Sequence, residues 1–236
     1  MDKLIKVIAI TQVLFCANFA QAQNDSLRQT GIEFGFQHSI NFTHLSGSSG
    51  PISYSNRVEN YDPIRNRVTF DFGMFAIAHL SDRIAIQPEV VYTYMGGHYQ
   101  KTTTFLHDLG AFEGTENVSF AADYIKASLA TNIKFNDRIF IQVGGYGASL
   151  LSAEQFVPWW EVDNDQKRKQ LTGVSHFDAG IIGGFGLSTS VLNMSFRYNQ
   201  GLVDVFARGE LNEFNMHNGV FQFILQWKLY SDFKKN

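Results

Sequence analysis

The chain has 236 residues, of which 14% are aromatic and 17% are charged, a low charged share beside the roughly 25% of an average soluble domain. Its formal net charge of −3 excludes a generally basic nucleic-acid-binding protein. Because Cys16 is its single cysteine, the chain has neither an internal disulfide nor a cysteine-based metal site.

The first 22 residues have the parts of a secretory signal peptide. Lys3 and Lys6 are basic, residues 4–19 are mostly apolar, and Ala20-Gln21-Ala22 is a small-x-small cleavage site. The apolar run is too short and too interrupted to cross about 30 Å of hydrocarbon. Phe15 occupies the position before Cys16 where lipoprotein cleavage needs a small residue. We therefore predict a signal peptide at 1–22, a flexible mature N-terminus at 23–30, a barrel domain at 31–230 and a C-terminal tail at 231–236.

The remaining sequence alternates apolar and polar residues with the period of two that is typical of β-strands. Residues 67–74 place Val, Phe, Phe and Met on one face and Arg, Thr, Asp and Gly on the other. Pro88 interrupts one such segment, and we expect a local defect there. Eight strands are predicted, at residues 31–42, 67–79, 84–96, 122–135, 138–151, 176–187, 192–199 and 221–229.

The connections between these strands alternate in length, with long loops at 43–66, 97–120, 152–175 and before 218, and short turns elsewhere. Transmembrane barrels place short turns at the periplasmic end and long loops outside. No later apolar run is long enough for a membrane helix, and an open sheet would leave backbone groups unpaired in lipid. We predict an all-β fold: an eight-stranded antiparallel up-and-down transmembrane β-barrel in a Gram-negative outer membrane, both termini periplasmic. A soluble exported β-sandwich or lipocalin-like barrel is the alternative.

Charged residues occupy the inward positions of this barrel. Its interior would be just wide enough for side chains, and a buried charge is unfavourable unless it is paired. Since both signs occur in similar number, we expect a salt-bridged plug, with a narrow ion path or a proton-sensitive gate as the alternative. The predicted lumen charge network comprises Glu33, Arg67, Asp71, Glu89, Lys126, Lys134, Asp178, Arg197 and Lys228.

No catalytic, metal or cofactor site is predicted. Ser175, His176 and Asp178 are the residue types of a catalytic triad, but on one strand Ser175 faces away from the other two. The remaining histidines lack the paired spacing of metal ligands.

The third outer loop carries an apolar cluster at residues 156–160. Phe156, Trp159 and Trp160 are the candidate contact residues. They would form either an interfacial aromatic anchor or a contact site for a partner protein or surface ligand. Asp25-Ser26-Leu27 also fits a short bacterial O-glycosylation pattern, a three-residue match.

Three segments resemble PorT-type outer-membrane β-barrel proteins of the porin family. Residues 84–92 follow the pattern apolar-x-x-Gln-Pro-Glu-apolar-x-Tyr, and residues 178–186 and 196–202 are similar to two later strands. The chain departs from the family at residues 124–128, where Tyr-Leu-Glu-apolar-Pro is usual. The resemblance implies an eight-stranded outer-membrane barrel. One member type serves the gliding-associated (type IX) secretion machinery.

Two functions follow from these observations. The first is a non-enzymatic structural or interaction barrel with a largely closed lumen, embedded in the outer-membrane lipid bilayer, whose long outer loops engage a surface or secretion-machinery protein. The second is a small porin-like pore for ions or small solutes. Neither involves nucleic acid or a cofactor.

Overall fold

The computed structural model describes residues 31–49, 52–53, 55–107, 110–136, 138–156, 168–170, 174–205 and 214–231. The predicted signal peptide, the segment 23–30 with Asp25-Ser26-Leu27, and tail residues 232–236 lie outside these ranges. Over the ranges given, the structure contains no helix whose length and apolar character would let it cross a bilayer.

The described residues form eleven β-strands, which share one antiparallel sheet. Their bounds are β1 Ile32–Ser49, β2 Ile52–Ser53, β3 Arg57–Arg65, β4 Arg67–His79, β5 Ile84–His107, β6 Gly110–Lys134, β7 Ile139–Phe156, β8 Arg168–Gln170, β9 Phe177–Ser188, β10 Leu192–Gly201 and β11 Phe214–Ser231.

Eight of these strands close into a barrel in the order β1-β4-β5-β6-β7-β9-β10-β11. Each neighbouring pair is antiparallel, and pairing of β11 with β1 completes the ring. The small strands β2, β3 and β8 lie within the connections. The predicted eight-stranded antiparallel up-and-down barrel is confirmed.

Alternation places apolar side chains on the outside of the barrel and polar ones inside. On β4, Phe70 and Phe72 are exposed, whereas Thr69 and Asp71 are buried. The same division recurs on β1, where Phe36 is exposed and Gln37 is buried. The outer surface is therefore an apolar band, the reverse of a water-soluble barrel.

Short turns join the strands at one end of the barrel, and a side-chain oxygen organises each of them. Ser81 Oγ accepts from the backbone N–H of Ile84, Asn136 Oδ1 from that of Ile139, and Thr189 Oγ1 from that of Leu192. Such side chains are typical of tight turns because they satisfy backbone donors locally. The predicted positions of these three turns match the structure.

The predicted loop at 97–120 is wrong, because β5 and β6 continue through it as a paired hairpin. Their ladder runs without interruption from Ile84 opposite Ile133 to His107 opposite Gly110. Strand β3 pairs with the outer part of β5, and β2 pairs with β3. We call β2, β3 and residues 97–107 and 110–120 the outer sheet. Strands β1, β7 and β11 also extend further toward this end than predicted.

Gly96 marks the point where β5 leaves the barrel wall for the outer sheet. Its φ of 154° is rare for residues with a side chain, and a Cβ there would lie 2.3 Å from the carbonyl oxygen of Phe120. Thr43 Oγ1 donates to the Gly96 carbonyl at 2.8 Å and ties β1 to the same point.

Pro88 interrupts the ladder between β4 and β5 without shifting its register. Pairing runs to Phe75 opposite Glu89 and resumes at Ala78 opposite Ile86, with the same alignment on both sides. Proline has no N–H to donate, so the ladder bonds nearest to it are lost. On its other side, Pro88 lies opposite Leu129 of β6.

Candidate functional site

A buried ion pair crosses the barrel interior. Arg197 on β10 donates from Nη1 to Glu89 Oε2 at 2.7 Å and from Nη2 to Glu89 Oε1 at 2.8 Å. Strands β5 and β10 are four places apart in the ring of eight, so the pair spans the full width of the bore. Both side chains are only 1% exposed. A bidentate, charge-assisted contact of this kind is among the stronger polar interactions in proteins.

Buried amides and hydroxyls satisfy the remaining hydrogen-bonding capacity of this pair. Glu89 also accepts from Ser128 Oγ at 2.8 Å, and from Gln87 Nε2 and Gln226 Nε2. Arg197 Nη2 donates in addition to Gln142 Oε1 at 3.1 Å. Taking two charges out of water is unfavourable unless further hydrogen bonds complete the site, and here four residues supply them. Gln142 Nε2 in turn donates a hydrogen bond to Asn132 Oδ1.

A second buried carboxylate, Asp71 on β4, connects its own strand to four others. It accepts hydrogen bonds from Asn41 on β1, Thr93 on β5 and Gln222 on β11. The ammonium of Lys126 on β6 lies 3.5 Å from Asp71 Oδ2. The same ammonium is 5.9 Å from the centre of the Tyr146 ring.

Asp178 lies on the inner face of β9 and is buried. Its Oδ2 accepts from Asn218 Nδ2 at 2.9 Å and from the Tyr146 hydroxyl at 3.3 Å, while Oδ1 has no hydrogen-bond partner among the described residues. Its contacts in this structure are therefore neutral groups.

A third cluster of polar side chains lies inside the barrel, at the end that carries the short turns. Lys228 Nζ is 3.0 Å from Glu33 Oε2, and His79 Nε2 is 3.6 Å from Glu33 Oε1. Lys134 Nζ is 3.2 Å from His79 Nδ1. Lys228 also donates to the Thr189 carbonyl at 2.8 Å, which ties the β9–β10 turn to the barrel interior.

Arg67 lies at the opposite end, where its guanidinium is half-buried. Nη1 donates to the Phe120 carbonyl at 2.8 Å, Nη2 donates to the Tyr94 hydroxyl at 2.9 Å, and the guanidinium lies 4.9 Å from the centre of the Tyr94 ring. These contacts join β4 to the base of the outer sheet.

Above the charged residues, the outer half of the bore is filled by apolar side chains, which sequence reasoning missed. Met95, Phe120, Tyr124 and Met216 are almost completely buried there. They belong to the buried cluster Leu45, Met95, Phe120, Ala122, Tyr124, Tyr146, Ala148, Ala153, Val174, Ile182, Val205, Met216 and Val220. The alternation of apolar and polar residues could have placed two of them inside the barrel. Met95 continues the inward-facing series on the predicted strand 84–96, and Tyr124 continues it on the predicted strand 122–135.

The interior is closely packed at the level of the ion pairs. The space among Asp71, Glu89, Lys126, Arg197 and Gln222 is too small to hold a water molecule. The apolar cluster then fills the bore on the outer side. The charged residues are therefore packed side chains rather than the lining of an open channel.

The remaining candidates concern the third outer loop and metal binding. Phe156 is the last residue of β7, but its side chain, Trp159 and Trp160 lie outside the described part of the chain. Across the described ranges, no three His, Cys, Asp or Glu side chains are grouped so that they could hold a metal ion.

A family model described as outer membrane protein beta-barrel domain matches residues 19–207. The chain belongs to this family. The barrel is therefore that of an integral outer-membrane protein, and its apolar outer face lies against the lipid bilayer.

Two solved structures are similar to this member of the outer-membrane family. Neisserial surface protein A, from Neisseria, has a TM-score of 0.52 and 12% identity, over 83% of this chain and 97% of that one. Ail, the attachment invasion locus protein of Yersinia pestis, has a TM-score of 0.45 and 7% identity, over 85% and 99%. A search of curated proteins finds no match.

Proposed function

We propose that this outer-membrane protein is a non-enzymatic, closed barrel that holds the outer sheet at the cell surface for contact with a partner protein. The observation that carries the proposal is the outer sheet itself, which continues about ten residues beyond Gly96 on β5 as a paired β-hairpin. A connection that served only to link two strands would not need a regular ladder of this length.

The tip of the outer sheet exposes apolar side chains. Phe105 lies directly opposite Phe112 in the ladder, and Leu106 lies beside them opposite Ala111. All three large side chains are about half exposed or more. Since these residues lie beyond the membrane-embedded barrel, lipid does not account for their exposure, and exposed apolar patches of this kind mark protein contact sites.

A buried carboxylate links two strands of the outer sheet. Glu59 on β3 is buried and lies 3.0 Å from Arg57 Nε and 3.2 Å from Lys101 Nζ. Lys101 lies on β5, so its ion pair with Glu59 joins β3 to β5, where Glu59 lies opposite Thr103. A preorganised surface loses less conformational entropy when it binds, which favours an interaction role.

The closed interior supports an interaction role over transport. The Glu89–Arg197 pair crosses the bore and is satisfied on all sides, and the apolar cluster lies above it. The alternative, a small pore for ions or solutes, requires these side chains to separate, which would leave charges buried without partners.

The remaining elements of the proposal come from the sequence. We propose cleavage of a signal peptide after Ala22, both termini in the periplasm, and membership of the PorT-type group, which would make a secretion-machinery protein the first partner class to test. Phe156, Trp159 and Trp160 are proposed to extend the contact surface beside the outer sheet.

Changing the tip of the outer sheet is expected to abolish partner binding without affecting the barrel. Phe105→Ser with Phe112→Ser removes the apolar contact, and loss of aromatic contact residues typically lowers affinity by about 2 kcal/mol or more. The measurement is cross-linking in native outer membranes followed by purification of the tagged full chain.

Phe135→Ser is the matched control, because Phe135 is similarly exposed but lies in a short turn at the other end. The proposal expects a cross-linked partner with the wild type and with Phe135→Ser, but not with the double variant. Recovery of the same partner from all three proteins would contradict it.

A further inference from the structure

An apolar groove opens on the lipid-facing surface where β9, β10, β11 and β1 lie side by side. It has a volume of about 240 Å³, and its walls include Phe42, Phe185, Phe196 and Phe221. Gly183 forms part of its floor, and a Cβ built there would meet no atom within 4 Å. The groove exists because this outward position has no side chain.

Aromatic pairs lie on both sides of the groove. Phe185 and Phe196 stack with ring centres 5.6 Å apart, and Tyr198 and Phe221 lie 4.5 Å apart. Gly183 is directly opposite Tyr198 in the ladder, where a third aromatic side chain would complete the row. The space that such a side chain would occupy is empty.

Polar groups lie immediately above the groove, on the side of the outer sheet. The His44 ring covers Gly219 and stacks on Tyr198 at 6.1 Å and on Phe221 at 6.0 Å. The Tyr198 hydroxyl donates to Gln200 Oε1 at 2.7 Å. Within the described chain, the ring nitrogens of His44 make no hydrogen bond, so they are available to a ligand.

These residues also mark the outer limit of the apolar band. The next outward-facing pair above His44 and Gly219 is Ser46 opposite His217, whereas the pair below is Phe42 opposite Phe221. Aromatic and polar residues meet at this level in membrane barrels because lipid headgroups begin there. The groove therefore runs from headgroup depth into the hydrocarbon region.

We propose that the groove is a specific binding site for one acyl chain of a membrane phospholipid, whose headgroup hydrogen-bonds to His44. Its walls are apolar, and it opens directly to acyl chains. Its volume is below the roughly 300–1,000 Å³ of pockets that enclose small molecules, so it fits a single flexible chain.

The test is native mass spectrometry of the full chain, delipidated in detergent and then titrated with dimyristoyl phosphatidylethanolamine. The wild type is expected to retain one lipid. Gly183→Leu fills the groove and is expected to weaken binding about tenfold, equivalent to about two buried methylene groups. His44→Phe keeps the ring stack but lacks the nitrogens, and we expect a loss of about fivefold, equivalent to one hydrogen bond.

Gly147→Leu is the control, since Gly147 also faces outward and a Cβ there would make only an ordinary 3.5 Å contact with the Phe177 ring. It should bind lipid as the wild type does. The inference is overturned if the wild type retains no lipid, or if Gly183→Leu binds as well as Gly147→Leu. A dimer that forms with the wild type but not with Gly183→Leu would also overturn it, in favour of a second copy in the groove.

Discussion

Glu89→Ala is expected to lower the free energy of unfolding by about 3–5 kcal/mol, the range found when one partner of a buried ion pair is removed. Arg197 would remain 1% exposed beside Gln142, and a guanidinium cannot lose its charge by deprotonation. Ser128 and Gln87 would lose an acceptor as well. The measurement is equilibrium unfolding by urea in phospholipid vesicles, with tryptophan fluorescence as the probe of unfolding.

Two comparisons test whether the loss of stability comes from the broken ion pair. Glu113→Ala removes an exposed carboxylate from the outer sheet and should change the free energy of unfolding by no more than about 0.5 kcal/mol. Combining Glu89→Leu with Arg197→Met removes both charges, so the double variant should lose less than the sum of its single variants. If Glu89→Ala and Glu113→Ala had equal effects, the ion pair across the bore would not exist as described.

Phe72→Arg is expected to destabilise the barrel by about 2–4 kcal/mol, the penalty for an arginine at the bilayer midplane on the lipid face of a β-barrel. Phe72 lies in the middle of β4 and is 63% exposed on the outer surface. The same unfolding measurement in vesicles applies.

Phe112→Arg distinguishes lipid from water as the surrounding medium. Phe112 is 62% exposed, nearly the same fraction as Phe72, but it lies on the outer sheet. An arginine there meets water, so the free energy of unfolding should change by no more than about 0.5 kcal/mol. Equal destabilisation by the two arginines would show that the apolar band of β4 is not in contact with acyl chains.

Alternation and turn chemistry were sufficient to predict the barrel. The prediction for β4 matches its observed bounds, because Thr69, Asp71 and their neighbours alternate without a break and Ser81 supplies the turn. The sequence predicts a loop in place of the outer sheet because glycines such as Gly110 and Gly114 are typical of loops. In the structure Gly114 simply lies opposite Thr103 in the ladder, and the β-branched threonines at 102–104 favour a strand.

The charged side chains could be assigned to the inner face from alternation, but their partners could not. Glu89 and Arg197 are 108 residues apart and lie on opposite sides of the ring, so their contact depends on strand number and register together. The amides of Gln87 and Gln226 lie on the predicted polar face, whereas the glycines of the strand at 138–151 leave the facing of Gln142 undetermined. Nothing local distinguishes these three amides from other polar residues. Part of the apolar cluster, including Met95 and Tyr124, lies within the predicted strands, whereas Leu45, Phe120 and Met216 lie beyond the predicted strand ends.

The most direct test of the closed interior is the conductance of the refolded full chain in planar lipid bilayers. With the Glu89–Arg197 pair across the bore and the apolar cluster above it, we expect the current to stay at the level of protein-free membranes over the applied voltage range. Steady, reproducible single-channel steps from the wild-type protein would contradict this account and support the pore.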